Sequence, residues 1–215
     1  MDKQRLVQTA QALVAEKKGI LAADESGGTI KRRFDSINVE STEKSRRDYR
    51  EMLFRTAGVS DFISGVILFD ETIRQEAADG TPIVKVLTDQ GIIPGIKVDK
   101  GTISLPSAPC ELVTEGLDSL RDRLTEYVEL GAGFTKWRAV ISITNDTPTS
   151  YGITANAHAL ARFAALSQEA GLVPIVEPEV LRDGDHSIER CFEVTEETLR
   201  EVFDQLAQQK VLLEG

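Results

Sequence analysis

The sequence has little that would make it a disulfide-stapled, metal-bound or membrane-embedded protein. Its two cysteines, Cys110 and Cys191, show neither a disulfide framework nor a metal-ligand spacing in a chain of 215 residues, so a reduced, cytoplasmic setting is expected. Two histidines, His158 and His186, are too few for a three-histidine zinc site. No apolar run approaches the ~20 residues that cross a bilayer, and no N-terminal apolar segment resembles a signal peptide. Positive charge is in deficit: 25 Lys and Arg stand against 35 Asp and Glu, a formal charge of -10. That balance argues against nucleic acid or an anionic membrane as the partner. Pro-rich, Ser-rich and repeated segments are missing too, so nothing divides the chain, and residues 1–215 read as a single domain.

What is present is an alternation. Leu6, Val7, Leu13 and Val14 recur with helical spacing between Asp2 and Lys17. Then comes "GILAAD", a short apolar run closed by a carboxylate, and the design repeats in "GVILFD", "PGIKVD", "GFTKWRAVI" and "VPIVEPEV". Helical patterns lie between these strand candidates. One begins near Thr42, with Tyr49, Met52 and Leu53 on one face, and another carries Leu117, Leu120, Leu124 and Tyr127. A third has Thr147 as predicted N-cap and Pro148 at the first helical position, running to Gly171. The last has Thr195 as predicted cap, with Leu199, Val202, Phe203 and Leu206 expected to face a core. The closing "VLLEG" reads as the start of a further strand. Strand and helix in alternation, with near-continuous apolar strands, imply a parallel α/β sheet covered by helices, either an open doubly wound sheet or a barrel.

Several charges fall where a strand interior should be apolar. Residues two apart share a strand face, which pairs Lys97 with Asp99, Lys136 with Arg138, and Glu177 with Glu179, while Asp24 closes the first strand. In parallel α/β folds the C-terminal strand ends gather at one rim, where sites are built. The expectation is a half-buried mouth of two lysines, an arginine and three or four carboxylates. Burial there can shift a carboxylate up, or a lysine down toward neutrality, and suit either to proton transfer. Glu177, Glu179 and Lys136 are the acid and base candidates; Lys97 and Arg138 are anion anchors. The loop "ESGGTIKRRF" adds Ser26, two glycines and Thr29 ahead of a helix start, the makings of an anion cradle. A different chemistry, metal-assisted lysis or hydrolysis, is conceivable through Glu177, Glu179, Asp183, Asp185 and His186.

The segments "KGILAADES", "GVILFDET", "GIKVDKG", "KWRAVI", "VPIVEPE" with "DGDH", and the final "LEG", in this order and at these separations, resemble class I fructose-bisphosphate aldolase over essentially the whole chain. The resemblance implies a TIM-type (β/α)8 barrel and a cytoplasmic homotetramer of glycolysis and gluconeogenesis. It implies reversible cleavage of fructose 1,6-bisphosphate to the triose phosphates dihydroxyacetone phosphate and glyceraldehyde 3-phosphate, with no metal or organic cofactor. It places Asp24 beside the C4 hydroxyl and the Schiff-base lysine, Lys136 next to it, Glu177 as acid and base for the carbinolamine, and Glu179 as support for the catalytic charges. Lys97, Arg138, Ser26 and Thr29 become the grip on the 6-phosphate. On the same resemblance the Schiff-base lysine belongs to a sixth strand that these residues only begin. The chain is then expected to be the N-terminal part of such an enzyme, with five strands and the start of a sixth. It would be inactive by the imine route and inclined to self-associate through open sheet edges. The alternative reading is a non-catalytic remnant that binds sugar phosphates or partner subunits.

Overall fold

The computed structural model describes residues 2–215. In chain order the elements are α1 (Lys3–Leu13), β1 (Gly19–Ala23), α2 (Gly27–Asp35), α3 (Glu43–Phe54), α4 (Val59–Phe62), β2 (Ile63–Leu68), α5 (Asp70–Ile73), α6 (Ile83–Thr88), β3 (Ile93–Lys97), β4 (Thr102–Leu105), β5 (Ala108–Thr114), α7 (Leu120–Glu129), β6 (Phe134–Ile141), α8 (Ser150–Glu169), β7 (Val173–Val180) and α9 (Ile188–Gln208). Five strands form one parallel sheet in the order β1-β2-β3-β6-β7, the alternation expected from the sequence. The antiparallel hairpin of β4 and β5 is an insertion after β3. The sequence reading missed it because β4 alternates over only four residues, Thr102–Leu105, and β5 carries no regular alternation. It packs over the main sheet, with the Thr114 hydroxyl donating to the Arg138 carbonyl at 2.8 Å.

The two faces of the sheet do different work, and residue parity sorts them. On the outer face Val66, Leu68, Ile96, Val98, Trp137 and Ala139 join helical residues such as Leu124, Tyr127, Leu160 and Phe163 in the main core, with Trp137 stacked on Phe163 at 5.6 Å between ring centroids. On the inner face a smaller cluster of Leu6 and Leu13 from α1 with Ile67, Phe134 and Val173 closes the N-terminal ends of the strands. A Cβ on Gly95 would run into the ring of Phe134, so glycine there lets that ring lie across β3. Farther along β1, β3, β6 and β7 the inner face turns from apolar to charged, at Asp24, Lys97, Lys136 and Glu177, which sets the site above this plug.

Several boundaries differ from the sequence-based expectation. The Thr147–Pro148 peptide is cis, and α8 is capped by Thr149, whose hydroxyl accepts from the Gly152 N–H. Thr147 instead donates to the Ser142 carbonyl at 3.0 Å. The last helix begins at Ile188 under a Ser187 cap, so Thr195 is interior and donates to the Cys191 carbonyl. Val202 and Leu206 face the core as expected, but Leu199 and Phe203 are exposed together with Ile188 and Phe192. Residues 211–215, expected to open a strand, form no ladder. The Gln168 side chain holds them: its amide donates to the Leu212 and Gly215 carbonyls, and its oxygen accepts from the Leu212 N–H at 2.9 Å. At the other side of the sheet, β7 is fastened to β6 from the Val173 N–H on the Gly133 carbonyl through the Leu181 N–H on the Ile141 carbonyl.

Candidate active site

The charged rows meet where parity puts them. Lys97 lies opposite Lys136 in the β3/β6 register, and Arg138 opposite Glu177 in β6/β7, so neighbouring strands set like charges and opposite charges side by side on the inner face. Lys136 resolves this by reaching across the sheet. Its ammonium donates to Asp24 at 3.3 Å and pairs with Glu177 at 3.1 Å, joining β6 to the end of β1 on one side and to β7 on the other. Lys97 is neutralised by Asp99 two residues on, and Arg138 by Glu179, with Glu177 3.8 Å away.

A cleft of about 560 Å³ opens over these groups, a size in the range of small-molecule sites, roughly 300–1,000 Å³. Asp24, Ser26, Thr29, Lys97, Lys136, Arg138 and Glu177 all line it. Glu179, the eighth residue singled out, is absent from the lining; it stands behind Arg138 and orients that guanidinium. Burial works against the Lys136 charge, but Asp24 and Glu177 more than offset it and hold the ammonium above the ordinary lysine value. The expectation of a lysine lowered toward neutrality is therefore corrected for Lys136: two carboxylates at contact distance outweigh the desolvation.

At the edge of the cleft Ser26 is the residue before α2 and makes no side-chain cap bond to it. Its hydroxyl meets that of Thr29 at 3.2 Å instead. Nothing lies within 4 Å of a Cβ built on Gly27 or Gly28, and neither has a positive φ. Glycine at a helical position costs about 1 kcal/mol against alanine, and here neither the backbone angle nor a neighbouring atom requires it.

Sequence reading missed Glu25, Arg33, Asp70 and Lys100, which also line the cleft. Arg33 was findable, since it sits two helical turns from Ser26 and therefore on the same side; it is held by the Glu25 carboxylate. The oxygen-ligand reading does not assemble. Asp183 and Asp185 lie in an exposed loop, and among the described residues no three His, Cys, Asp or Glu groups converge as metal ligands would.

A parallel α/β sheet with a charged cleft at the C-terminal strand ends and a helix N-terminus at its rim has the layout of an α/β enzyme. Comparison with known proteins names the family. The model of the family "Fructose-bisphosphate aldolase class-I" matches residues 5–215. A probable fructose-bisphosphate aldolase class 1 of Xanthomonas campestris pv. campestris is 61% identical over 215 residues, covering 100% of this chain and 64% of that protein. Fructose-bisphosphate aldolase 1 of Toxoplasma gondii is 55% identical over 98% of this chain and 58% of its own length. The crystal structure of fructose-bisphosphate aldolase from Plasmodium falciparum, solved in complex with TRAP and a small-molecule inhibitor, superposes with a TM-score of 0.96 at 51% identity, over 98% of this chain and 61% of that one. The chain belongs to the class I fructose-bisphosphate aldolase family, and its five strands are part of that family's TIM-type barrel. It spans 64% or less of the length of these relatives.

Proposed function

We propose that this chain carries the phosphate-gripping and proton-handling half of a class I aldolase site. The reaction is reversible cleavage of fructose 1,6-bisphosphate to dihydroxyacetone phosphate and glyceraldehyde 3-phosphate in the cytoplasm, within a homotetramer and without a metal or organic cofactor. The observation that carries the proposal is the Lys136 ammonium bridging Asp24 and Glu177 inside a cleft rimmed by Lys97, Arg138 and the Ser26/Thr29 cradle. Family membership supplies the reaction class.

In this reading the cations at Lys97 and Arg138 and the hydroxyls of Ser26 and Thr29 receive the 6-phosphate. Its arrival competes with Asp99 for Lys97 and with Glu179 for Arg138, so binding exchanges internal ion pairs for pairs with the substrate. Asp24 orients the C4 hydroxyl, whose proton must leave as the C3–C4 bond breaks. Glu177, open to the cleft on one side and paired with Lys136 on the other, gives and takes protons at the carbinolamine. Glu179 acts through Arg138. The electron sink is a protonated imine on a lysine amine. Neither Lys97 nor Lys136 is poised for that role, because each ammonium is held by a carboxylate. The resemblance assigns the imine to a lysine on the strand that follows β7 and α9 in the fold.

Borohydride reduction of the 215-residue chain with dihydroxyacetone phosphate, read by intact mass, tests the division of labour. No adduct is expected, whereas calorimetry with fructose 1,6-bisphosphate should show binding that Arg138→Ala weakens. An adduct on Lys97 or Lys136, or binding indifferent to Arg138→Ala, would overturn the reading.

A further inference from the structure

Arg50, on α3, has no exposed side-chain surface and lies beneath the cradle rather than in the cleft. Its Nη2 donates to the Glu25 carbonyl at 2.7 Å and its Nη1 to the Thr72 hydroxyl at 2.5 Å. The Glu25 carboxylate is 3.9 Å away, the Glu71 carboxylate 3.7 Å, and the Phe69 ring lies 6.0 Å below the guanidinium. Among the described residues Arg50 Nε and Glu25 Oε2 are buried without a hydrogen-bond partner. A permanent charge placed this deep is costly, and a well-packed apolar side chain would serve stability as well or better. The three segments that the guanidinium joins, α3, α5 and the turn after β1, share no sheet hydrogen bond with one another. That turn is otherwise loosely fastened: Ser26 makes no side-chain cap bond, and the Glu25 carboxylate reaches outward to Arg33.

We propose that Arg50 is a positioning residue for the anion cradle: by bridging the Glu25 carbonyl to Thr72, its guanidinium fixes where Ser26, Thr29 and the first amides of α2 stand in the cleft. Its charge also faces Asp24, Glu25 and Glu71 from below, keeping these acids from repelling an arriving phosphate at full strength. The proposal rests on the reading of Ser26 and Thr29 as phosphate contacts. A lysine in its place keeps the charge and loses the fork, because an ammonium cannot span two acceptors in that fixed geometry. Thr72→Val removes the other end of the bridge without touching the cleft.

The test follows the backbone amides of the isotopically labelled 215-residue chain during titration with inorganic phosphate. In the parent chain, amides of residues 26–29 are expected to respond. Arg50→Lys and Thr72→Val should shift the ligand-free amides of residues 25–30 and weaken phosphate by about tenfold, the order expected for a lost charge-assisted hydrogen bond, while amides of β6 and α8 keep their parent positions. If both variants fold and retain the parent's phosphate affinity and ligand-free shifts, Arg50 serves stability alone and the proposal is wrong. Should Arg50→Lys not fold, Thr72→Val decides by the same criteria. A parent whose cradle amides ignore phosphate removes the cradle reading and this proposal together, an outcome distinct from the preceding one.

Discussion

An ammonium as buried as Lys136 ordinarily gives up its proton more readily than one in water. Asp24 and Glu177 reverse this, and the folded-state value is raised above the ordinary 10.5. The sign of the linkage follows: the stabilisation is fully present below the ordinary lysine value and is lost as pH rises through the higher folded one. Lys136→Met should therefore unfold at lower temperature than the parent at neutral pH, with the gap closing above pH 10.5. A gap that is flat across that window would show that the ion pairs contribute nothing. Glycines at two positions separate fold from function in the same residue-by-residue way. Gly95→Ala forces a methyl into the Phe134 ring and should cost about 1–3 kcal/mol in denaturant unfolding, the range for overpacking. Gly28→Ala meets nothing and should add up to about 1 kcal/mol through helix propensity, while crowding phosphate out of the cradle.

Between elements, the clearest long-range fastening near the site is the forked pair of Arg46 on α3 and Glu71 on α5, with bonds of 2.8 and 2.5 Å. The bond from Arg46 holds Glu71 below its usual value of 4.5. Its stabilisation is present above the ordinary glutamate value and is lost as pH falls through the lower folded one. Glu71→Gln should lower the unfolding temperature at pH 7 and lose its disadvantage in acid, as circular dichroism melts across about pH 2.5–7 would show. A deficit that persists unchanged in acid would point to packing instead. Elements also mark what sequence alone could reach. The five parallel strands were legible because a short apolar run that ends in charge suits a buried strand emerging at a polar rim; strand parity, the end of β1 and the Gly-Gly loop after it together picked out eight residues, seven of which line one cleft. The start of α8 was not legible, because Thr147 followed by Pro148 reads locally as a cap and first helical residue, whereas Glu111, on the inserted hairpin, takes the Thr149 N–H and hydroxyl and the helix starts two residues later. Arg50 was hidden for a similar reason: its partners lie 22 and 25 residues away, beyond any local pattern. The apolar stripe of Ile188, Phe192, Leu199 and Phe203 shows the converse limit, since helical spacing reveals an apolar face without saying whether this chain covers it.

For the molecule as a whole, the order β1-β2-β3-β6-β7 leaves β1 and β7 as the outer strands, and exposed ladders invite pairing with other chains. The two edges are not equivalent. Val173 and Leu181 both donate to β6, and alternation along an unbroken parallel register assigns the odd-numbered residues between them to the same side. The even-numbered residues 174, 176, 178 and 180 then turn their backbone groups away from β6. Two of these are Pro174 and Pro178, which have no N–H to offer. Pro178→Val should raise the apparent mass in size-exclusion chromatography at a given concentration, with the acids of the cleft untouched; unchanged elution would show that the prolines do not guard this edge. As a hydrogen-bonding surface, the free side of β7 offers four carbonyls but only the amides of Val176 and Val180. A strand that completes it must be matched to this donor-poor spacing, so the two prolines screen incoming strands by register while Glu177 and Glu179, between and beside them, stay on the charged inner face.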